Sequence, residues 1–402
     1  AYPDGKLANV AVTTLESLKK DGGPFFLAVG FFKPHLPFNT PKKHWDLHDR
    51  EALKLPESLC EPVKLSLKIA LHPHREPGGH KGVPKDENLD VEQSRRPRHS
   101  CDACVSYVDA QVGKVLGALK RLGLEQNTIV VIWGDHGFAL GETNRWCKAT
   151  NFELDTRVPL LIRTPDLTHP GVATDSLVEM IDLYPTFVEM CGLPKPKQPL
   201  EGVSLSATLA DPATAKDRDV FLPYLTPGEF AVINRDWRYI RYGEDGEELY
   251  DLKEDPNEWT NLANRPEFED KKAEMRKVAP ESFAEPEEKL NARKDLVIEG
   301  ETFRWEKGAG NANPRPGYVP PTTAAASKSE SKPKQGRRKN VLFIVCDDLN
   351  THVSPSGYDP IRTPTLAQFA SEGMTFHRAF CQYPVCGPSR ASFLNGLYPE
   401  SS

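Results

Sequence analysis

Cys386-Gly387-Pro388-Ser389-Arg390, followed by Leu394 and Gly396, is the segment of this chain with the most chemical potential. A cysteine followed at fixed spacing by proline and arginine packs poorly in a core and reads instead as a signal for enzymatic modification of the thiol. Asp347 and Asp348 are adjacent carboxylates that end an apolar run. Two such charges repel at a sheet edge unless a cation compensates them; the other reading is a helix-capping aspartate beside a solvated one. Asp135-His136 follows a second apolar run and favours the cation. Three carboxylates and a neutral donor suit a hard divalent ion, Ca²⁺ or Mg²⁺, whereas zinc favours more His or Cys ligands.

Further candidates flank these. His35 lies in Phe31-Phe32-Lys33-Pro34-His35-Leu36-Pro37-Phe38, where prolines fix the backbone around the imidazole; it reads equally as a structural loop histidine. Lys148 follows Asp135-His136 closely and reads either as a solvated surface charge or as a point charge for an anion. A helix starting near Pro388 places Cys386 and Arg390 toward its N-terminal end, where anions are favoured. His44, His48, His72, His74, His80, His99, His169, His352 and His377 have less informative surroundings and read as surface or loop residues. Cys101 and Cys104 sit where Val105, Val108, Val112, Val115 and Leu116 recur at helical spacing, so they read as two cysteines one turn apart on a helix.

Elements that position these residues are visible as short β-rich apolar runs at Phe25–Gly30, Thr128–Trp133, Pro159–Ile162 and Asn340–Val345. They read as buried parallel strands alternating with helices, hence an α/β fold with a mostly parallel central sheet flanked by helices. In such sheets functional residues gather past the carboxyl ends of strands. Phe221–Tyr224, Phe230–Ile233, Trp237–Tyr242 and Glu248–Leu252 predict a small antiparallel sheet with a turn at Glu244-Asp245-Gly246. Pro266–Ala292 reads as a charged helix, and Lys307–Arg338, rich in Gly, Pro, Ala, Ser and Lys, as a flexible linker.

Composition narrows the class. The chain has 402 residues, 38% hydrophobic and 27% charged, an ordinary balance for a large α/β domain plus a smaller one. A net charge of −6 gives no electrostatic reason to expect a nucleic acid partner. No apolar run approaches the length of a membrane span. Eight cysteines in such a length do not form a disulfide scaffold, and 36 prolines point to many ordered loops.

Taken together, the motifs resemble the type I sulfatases of the alkaline phosphatase superfamily, most nearly the iduronate 2-sulfatase-like branch. The resemblance rests on Asn340–Asn350, Cys386–Gly396, Pro24–Phe38, Ser106–Lys120, Thr128–Glu142, Trp146–Phe152 and Glu248–Leu262. It implies that Cys386 is oxidised to formylglycine by a formylglycine-generating enzyme, and that Asp347, Asp348, Asp135 and His136 bind Ca²⁺ or Mg²⁺ together with that residue. It further implies that Arg390 holds the modified residue, Lys148 binds the sulfate, and His35 contacts substrate or protonates the leaving oxygen. The implied substrate is a sulfated carbohydrate or other sulfate ester. A phosphoester or phosphonate hydrolase and a non-catalytic carbohydrate-binding relic stay open as alternatives.

The order of the pieces departs from the family's. The Asp-Asp strand and the cysteine motif, first in sulfatases, occupy 340–402 here, which implies a circular permutation or a gene wrapped around an assembly boundary. The expected organisation is 1–200 as the larger part of the catalytic domain, 201–306 as the small antiparallel subdomain plus a helix, 307–339 as the linker and 340–402 as the N-terminal-type part of the catalytic domain, with the Asp pair and the cysteine motif. The resemblance also leaves a family segment with a second Lys and His without a counterpart, and Thr143 stands where the family commonly has His. Thr322–Ser327 resembles a small-residue cleavage region, so export to a periplasmic, extracellular or lysosomal-type compartment is expected.

Overall fold

The computed structural model describes residues 2–53, 55–56, 66–67, 69–70, 89–143, 145–224, 226–281, 283, 294–299, 302–307 and 338–399. Apolar runs bounded by turn residues form the strands: β1 (Phe26–Phe31), β2 (Thr128–Gly134), β3 (Arg157–Arg163), β4 (Val172–Glu179), β5 (Val220–Pro223), β6 (Glu229–Ile233), β7 (Trp237–Tyr242), β8 (Glu247–Asp251), β9 (Lys294–Glu299), β10 (Thr302–Lys307), β11 (Asn340–Cys346) and β12 (Met374–Phe380). The helices are α1 (Pro3–Asp21), α2 (Lys42–Trp45), α3 (Val91–Arg121), α4 (Glu153–Thr156), α5 (Leu183–Met190), α6 (Ser206–Ala210), α7 (Glu269–Arg276), α8 (Pro364–Glu372) and α9 (Cys386–Asn395). Two compact units result, Ala1–Phe283 with Arg338–Ser402, and Ala284–Arg337. In the second, β9 and β10 pair antiparallel, Glu299 opposite Thr302.

In the first unit the main sheet has the order β1-β11-β2-β3-β12-β4. β11 lies in parallel register between β1 and β2, so a strand from late in the chain is flanked by two from its first third. Strand alternation sends Leu342, Ile344, Val130 and Ile132 to one face, where they pack with Ala8, Ala11 and Leu15 of α1 and with Val105, Val108 and Val112 of α3. Val341, Phe343, Ile129 and Val131 face the other side with Leu183 of α5, Leu209 of α6 and Phe393 of α9. Burial on both faces explains why β11 and β2 read as continuous apolar runs rather than alternating ones. α1 begins with Pro3 in its first turn and ends on Gly22 at φ 72°, and α3 opens with a reciprocal Asp90–Gln93 capping box. A second sheet, β5-β6-β7-β8, is antiparallel throughout, with the β7–β8 turn at Glu244-Asp245-Gly246.

Several expectations need correction. The run at Pro159–Ile162 is a strand, but β3 is antiparallel to both β2 and β12. The segment Phe25–Gly30 forms an edge strand, not a doubly buried one; Phe26 is 55% exposed. Strands β4, β9, β10 and β12 were not anticipated: half of the residues of β4 are polar and its first five are not buried, and β12 carries His377-Arg378 at a register shift. The helix expected over Pro266–Ala292 is confined, among the described residues, to a turn at Pro266–Phe268 and α7. Residues 277–281 of that run form turns; residues 282 and 284–292, most of the expected linker, Thr322–Ser327, His72, His74 and His80 lie outside the described residues. His44, His48 and His99 are buried rather than superficial, because α2 and the turn after it pack on α3. His48 Nε2 meets Ser106 Oγ at 2.8 Å and His99 Nε2 meets the His48 carbonyl at 2.9 Å. Cys101 and Cys104 are buried, unbonded thiols on α3, as the helical pattern predicts.

Candidate active site

Parallel register brings the ends of β1, β11 and β2 level: Phe31 pairs with Cys346, and Cys346 with Gly134. The next residues along each strand therefore converge. Asp347 and Asp348 leave β11, Asp135 and His136 leave β2, and His35 sits four residues past the end of β1. The amide of Asp347 donates to the Phe31 carbonyl (3.1 Å) and that of Asp348 to Asp135 Oδ1 (3.2 Å), locking the turns together. Asp348 adopts φ 64°, a left-handed conformation that aspartate tolerates better than most side chains.

Helix α9 supplies the remaining groups. It begins at Cys386, two residues earlier than the proline suggested, with Val385 extended before it and no side chain capping its first turn. The uncapped amides of a helix start favour an anion. Cys386 Sγ donates to Asp347 Oδ1 at 3.1 Å, lies 3.1 Å from His136 Nε2 and 3.8 Å from Lys148 Nζ. One turn on, Arg390 contacts Asp135 Oδ2 through Nε (3.0 Å) and Nη2 (2.8 Å), and Asp347 Oδ2 through Nη2 (3.1 Å). Lys148 Nζ pairs with Asp348 Oδ1 at 2.8 Å, and His35 Nε2 stands 3.9 Å from Asp348 Oδ2. All eight residues singled out in the sequence thus share one cluster.

The cluster has a cation-binding character. Ligand atoms of Asp135, His136, Asp347 and Cys386 lie within 4.8 Å of one another, as do those of His35, Asp347, Asp348 and Cys386. Asp348 Oδ2 is buried without a hydrogen-bond donor. Burial pushes the Asp135 carboxyl up to about 7, with Asp347 adding repulsion and Arg390 opposing it, and burial also raises Asp348. Asp347 moves the other way: burial works to raise it, but the Cys386 hydrogen bond and Arg390 outweigh that and hold it low. His136, fully enclosed, is held neutral by burial and keeps a lone pair to offer. Three carboxylates against Arg390 and Lys148 leave one negative charge, and a divalent ion makes the balance positive, which suits an anionic substrate. Hard oxygen donors fit Ca²⁺ or Mg²⁺.

The Cys386 thiol is no nucleophile as it stands. Burial pushes it up to about 12, Asp347 and Asp135 add to this, and Lys148 opposes only in part. At neutral pH it is protonated, and the thiol is far less reactive than the thiolate.

Supporting residues were invisible in the sequence. Ser389 Oγ donates to the Asp135 carbonyl (2.5 Å) and Asn350 Nδ2 to the Phe138 carbonyl (2.8 Å), tying the turns to α9 and to each other. The loop bearing Lys148 is braced by Arg145 Nη1 on Asp155 Oδ2 (2.9 Å) and by the small sheet, where Tyr224 Oη donates to the Ala149 carbonyl (2.7 Å). A separate cavity walled by Arg98, Glu142, Trp259, His352 and Tyr358 contains none of the eight residues, and its Arg98–Glu142 pair (2.8 Å) neutralises itself.

Glycine at 137 is required by space. A Cβ there would lie 1.8 Å from the Leu154 carbonyl oxygen, which is backbone and cannot swing away. Gly137→Ala is expected to destabilise the protein by ~3 kcal/mol or more and to displace His136. Urea unfolding checks the first and activity per folded molecule the second; wild-type values for both would contradict this packing.

Comparison with known proteins bears on this cluster. The chain matches the family model described as Sulfatase over residues 1–193 and 339–402, and that described as N-sulphoglucosamine sulphohydrolase, C-terminal, over 141–282. It is 35% identical over 266 residues to a sulfatase of Formosa agariphila, covering 65% of this chain and 50% of that protein. It is 36% identical over 225 residues to iduronate 2-sulfatase of Mus musculus, covering 48% and 40%. A solved structure described as a complex with its substrate D-glucosamine-2-N,6-O-disulfate superposes with TM-score 0.59 at 21% identity, over 69% of this chain and 68% of that one, and so shares the fold. The chain spans half or less of the length of these two curated relatives.

Proposed function

The chain belongs to the sulfatase family, and on that premise we propose that it hydrolyses a sulfate monoester carried on a sugar. The observation that carries this reading is the position of Cys386: at the start of α9, 3.1 Å from Asp347 and His136, and between the cations of Lys148 and Arg390. Its thiol, held protonated by burial, is a weak nucleophile, and the Cys386-Gly387-Pro388-Ser389-Arg390 motif supports conversion to formylglycine by a formylglycine-generating enzyme. Once converted and hydrated, the residue supplies one hydroxyl to attack sulfur and a second to expel sulfate and restore the aldehyde. Asp135, His136, Asp347 and Asp348 would hold Ca²⁺, or Mg²⁺, which lowers the cost of charge on the attacking oxygen and the sulfuryl group.

The chain's own side chains do the rest. Lys148 Nζ, close to both Asp348 and Cys386, takes up charge on the sulfuryl oxygens, and Arg390 holds the modified residue against Asp135 and Asp347. His35 Nδ1 faces the Leu36 carbonyl at 2.6 Å and so carries a hydrogen; in the imidazolium form Nε2 carries a second, and that is the proton handed to the leaving oxygen, which leaves the neutral Nδ1–H ring behind. The relatives' names and the disulfated glucosamine bound by the similar structure favour a sulfated sugar as substrate. The seat of β11 between β1 and β2 supports the reading that 340–402 completes the catalytic half in permuted order. No helix among the described residues is long and apolar enough to cross a membrane; we propose an exported protein, which cell fractionation tests.

Rates on an aryl sulfate, an aryl phosphate and a phosphonate monoester, measured on the matured protein, decide among substrate classes. Sulfate is expected to lead by more than ~10-fold, worth ~1.4 kcal/mol of transition-state binding. A faster phosphonate or phosphate would transfer the assignment to that chemistry, and no turnover of any of them would make the fold a binding module.

A further inference from the structure

We propose that Lys33 is a positioning residue: its buried ammonium, working with the Asp4 carboxylate, clamps the loop that presents His35. The inference rests on the reading of His35 as the proton donor to the leaving oxygen.

Lysine is rarely buried without partners, yet Lys33 is 5% exposed and Asp4 2%. The partners of both belong to one short loop. Asp4, in the first turn of α1, accepts the backbone amide of Phe32 on Oδ1 (3.0 Å) and that of Lys33 on Oδ2 (2.9 Å). Lys33 Nζ then reaches over the loop and donates to the His35 carbonyl (2.7 Å) and to the Pro37 carbonyl. The carboxylate pins the entry to the loop and the ammonium pins its exit. Between them the His35 amide closes on the Phe32 carbonyl (3.0 Å), and the His35 ring sits 4.9 Å from that of Phe32. Charge-assisted bonds of this kind are roughly twice as strong as neutral ones.

The result is an imidazole held at Nδ1 by the Leu36 carbonyl, with Nε2 turned toward Asp348 Oδ2 at 3.9 Å. Pro34 and Pro37 have no amide to donate, so without the ammonium the His35 carbonyl loses its side-chain donor, while the Pro37 carbonyl keeps only the Asn39 amide (2.7 Å). Burial lowers the Lys33 ammonium from its usual range, with the Asp4 and Asp348 carboxylates opposing it.

Leaving-group dependence is the test, because a proton donor matters most when the departing oxygen is basic. In the matured full-length protein, Lys33→Met is expected to lower kcat on a sugar sulfate by roughly 10²-fold, within the range that general-acid catalysis supplies. On 4-nitrophenyl sulfate the loss should stay under ~10-fold, since that phenolate leaves unaided. His35→Asn should show the same pattern, and the double variant should be no worse than His35→Asn alone. Equal losses on both substrates, or additive losses in the double variant, would overturn the clamp. A second measurement is independent of turnover: the His35 imidazole NMR chemical shifts and the amide hydrogen exchange of Phe32, Lys33, His35, Leu36 and Phe38. Lys33→Met should alter both, and wild-type behaviour in both would overturn the proposal even in an inactive protein. Should wild type hydrolyse no sulfate while these signals do change, the clamp stands and the sulfatase reading falls. Where Lys33→Met does not fold, Asp4→Asn, which weakens the same loop from its other side, is measured in its place with the same outcomes.

Discussion

Cys386→Ala is expected to reduce sulfate ester turnover by on the order of 10⁶-fold, the scale seen when a covalent nucleophile is deleted, while leaving the protein folded. The fold should tolerate the change because Cys386 is the first residue of α9 and only partly buried, and alanine is an excellent helix former. The chemical loss is total because nothing else in the cluster can play the part. Asp135, Asp347 and Asp348 are committed to Arg390, Lys148 and one another, and His136 is enclosed. Kinetics on an aryl sulfate, with circular dichroism to confirm folding, check this outcome. Residual activity of more than a few per cent would show that another group attacks sulfur.

Removing divalent metal should have the second-largest effect. Asp135, Asp347 and Asp348 converge on a volume where Asp348 Oδ2 has no donor and where burial raises both Asp135 and Asp348. A cation relieves that repulsion, so binding is stabilising as well as catalytic. At a hundredfold excess over Kd, a ligand specific to the folded state contributes ~2.7 kcal/mol, visible as a rise of a few degrees in Tm. Chelation should therefore abolish turnover and lower Tm, with Ca²⁺ or Mg²⁺ restoring both. Asp348→Asn should remove the metal-induced shift in Tm. Unchanged activity and Tm after exhaustive chelation would refute a metal site here.

Much of this arrangement could be read from local pattern. β11, β2 and the strands of the small sheet fall within a residue or so of their expected limits, because buried β-rich runs stop abruptly at Asp347-Asp348, Asp135-His136 or a glycine turn. Seven of the eight site residues were accessible for the same reason: each lies on or near a strand end or a helix start, where side chains of distant segments meet, whereas Lys148 lies in the loop between β2 and α4. What the pattern could not convey depends on neighbours far away in sequence. Leu160-Leu161-Ile162 would look the same in either strand direction, and only its pairing with β2 and β12 makes β3 antiparallel. Polar residues Thr174, Asp175 and Ser176 hide β4, whose edge position lets them face outward. The burial of His48 and His99 depends on the packing of α2 and the following turn against α3. Lys33 and Asp4 show no motif at all, since their partners are backbone amides and carbonyls that any sequence would provide.

Mass spectrometry of the peptide containing Cys386, from protein made in cells that possess a formylglycine-generating enzyme, reads the chemical state of the nucleophile itself. The expected mass is that of a residue in which one oxygen has replaced the sulfur and two hydrogens, and it disappears together with activity in Cys386→Ala. An intact thiol at position 386 in a preparation that turns over sulfate esters would contradict formylglycine as that nucleophile.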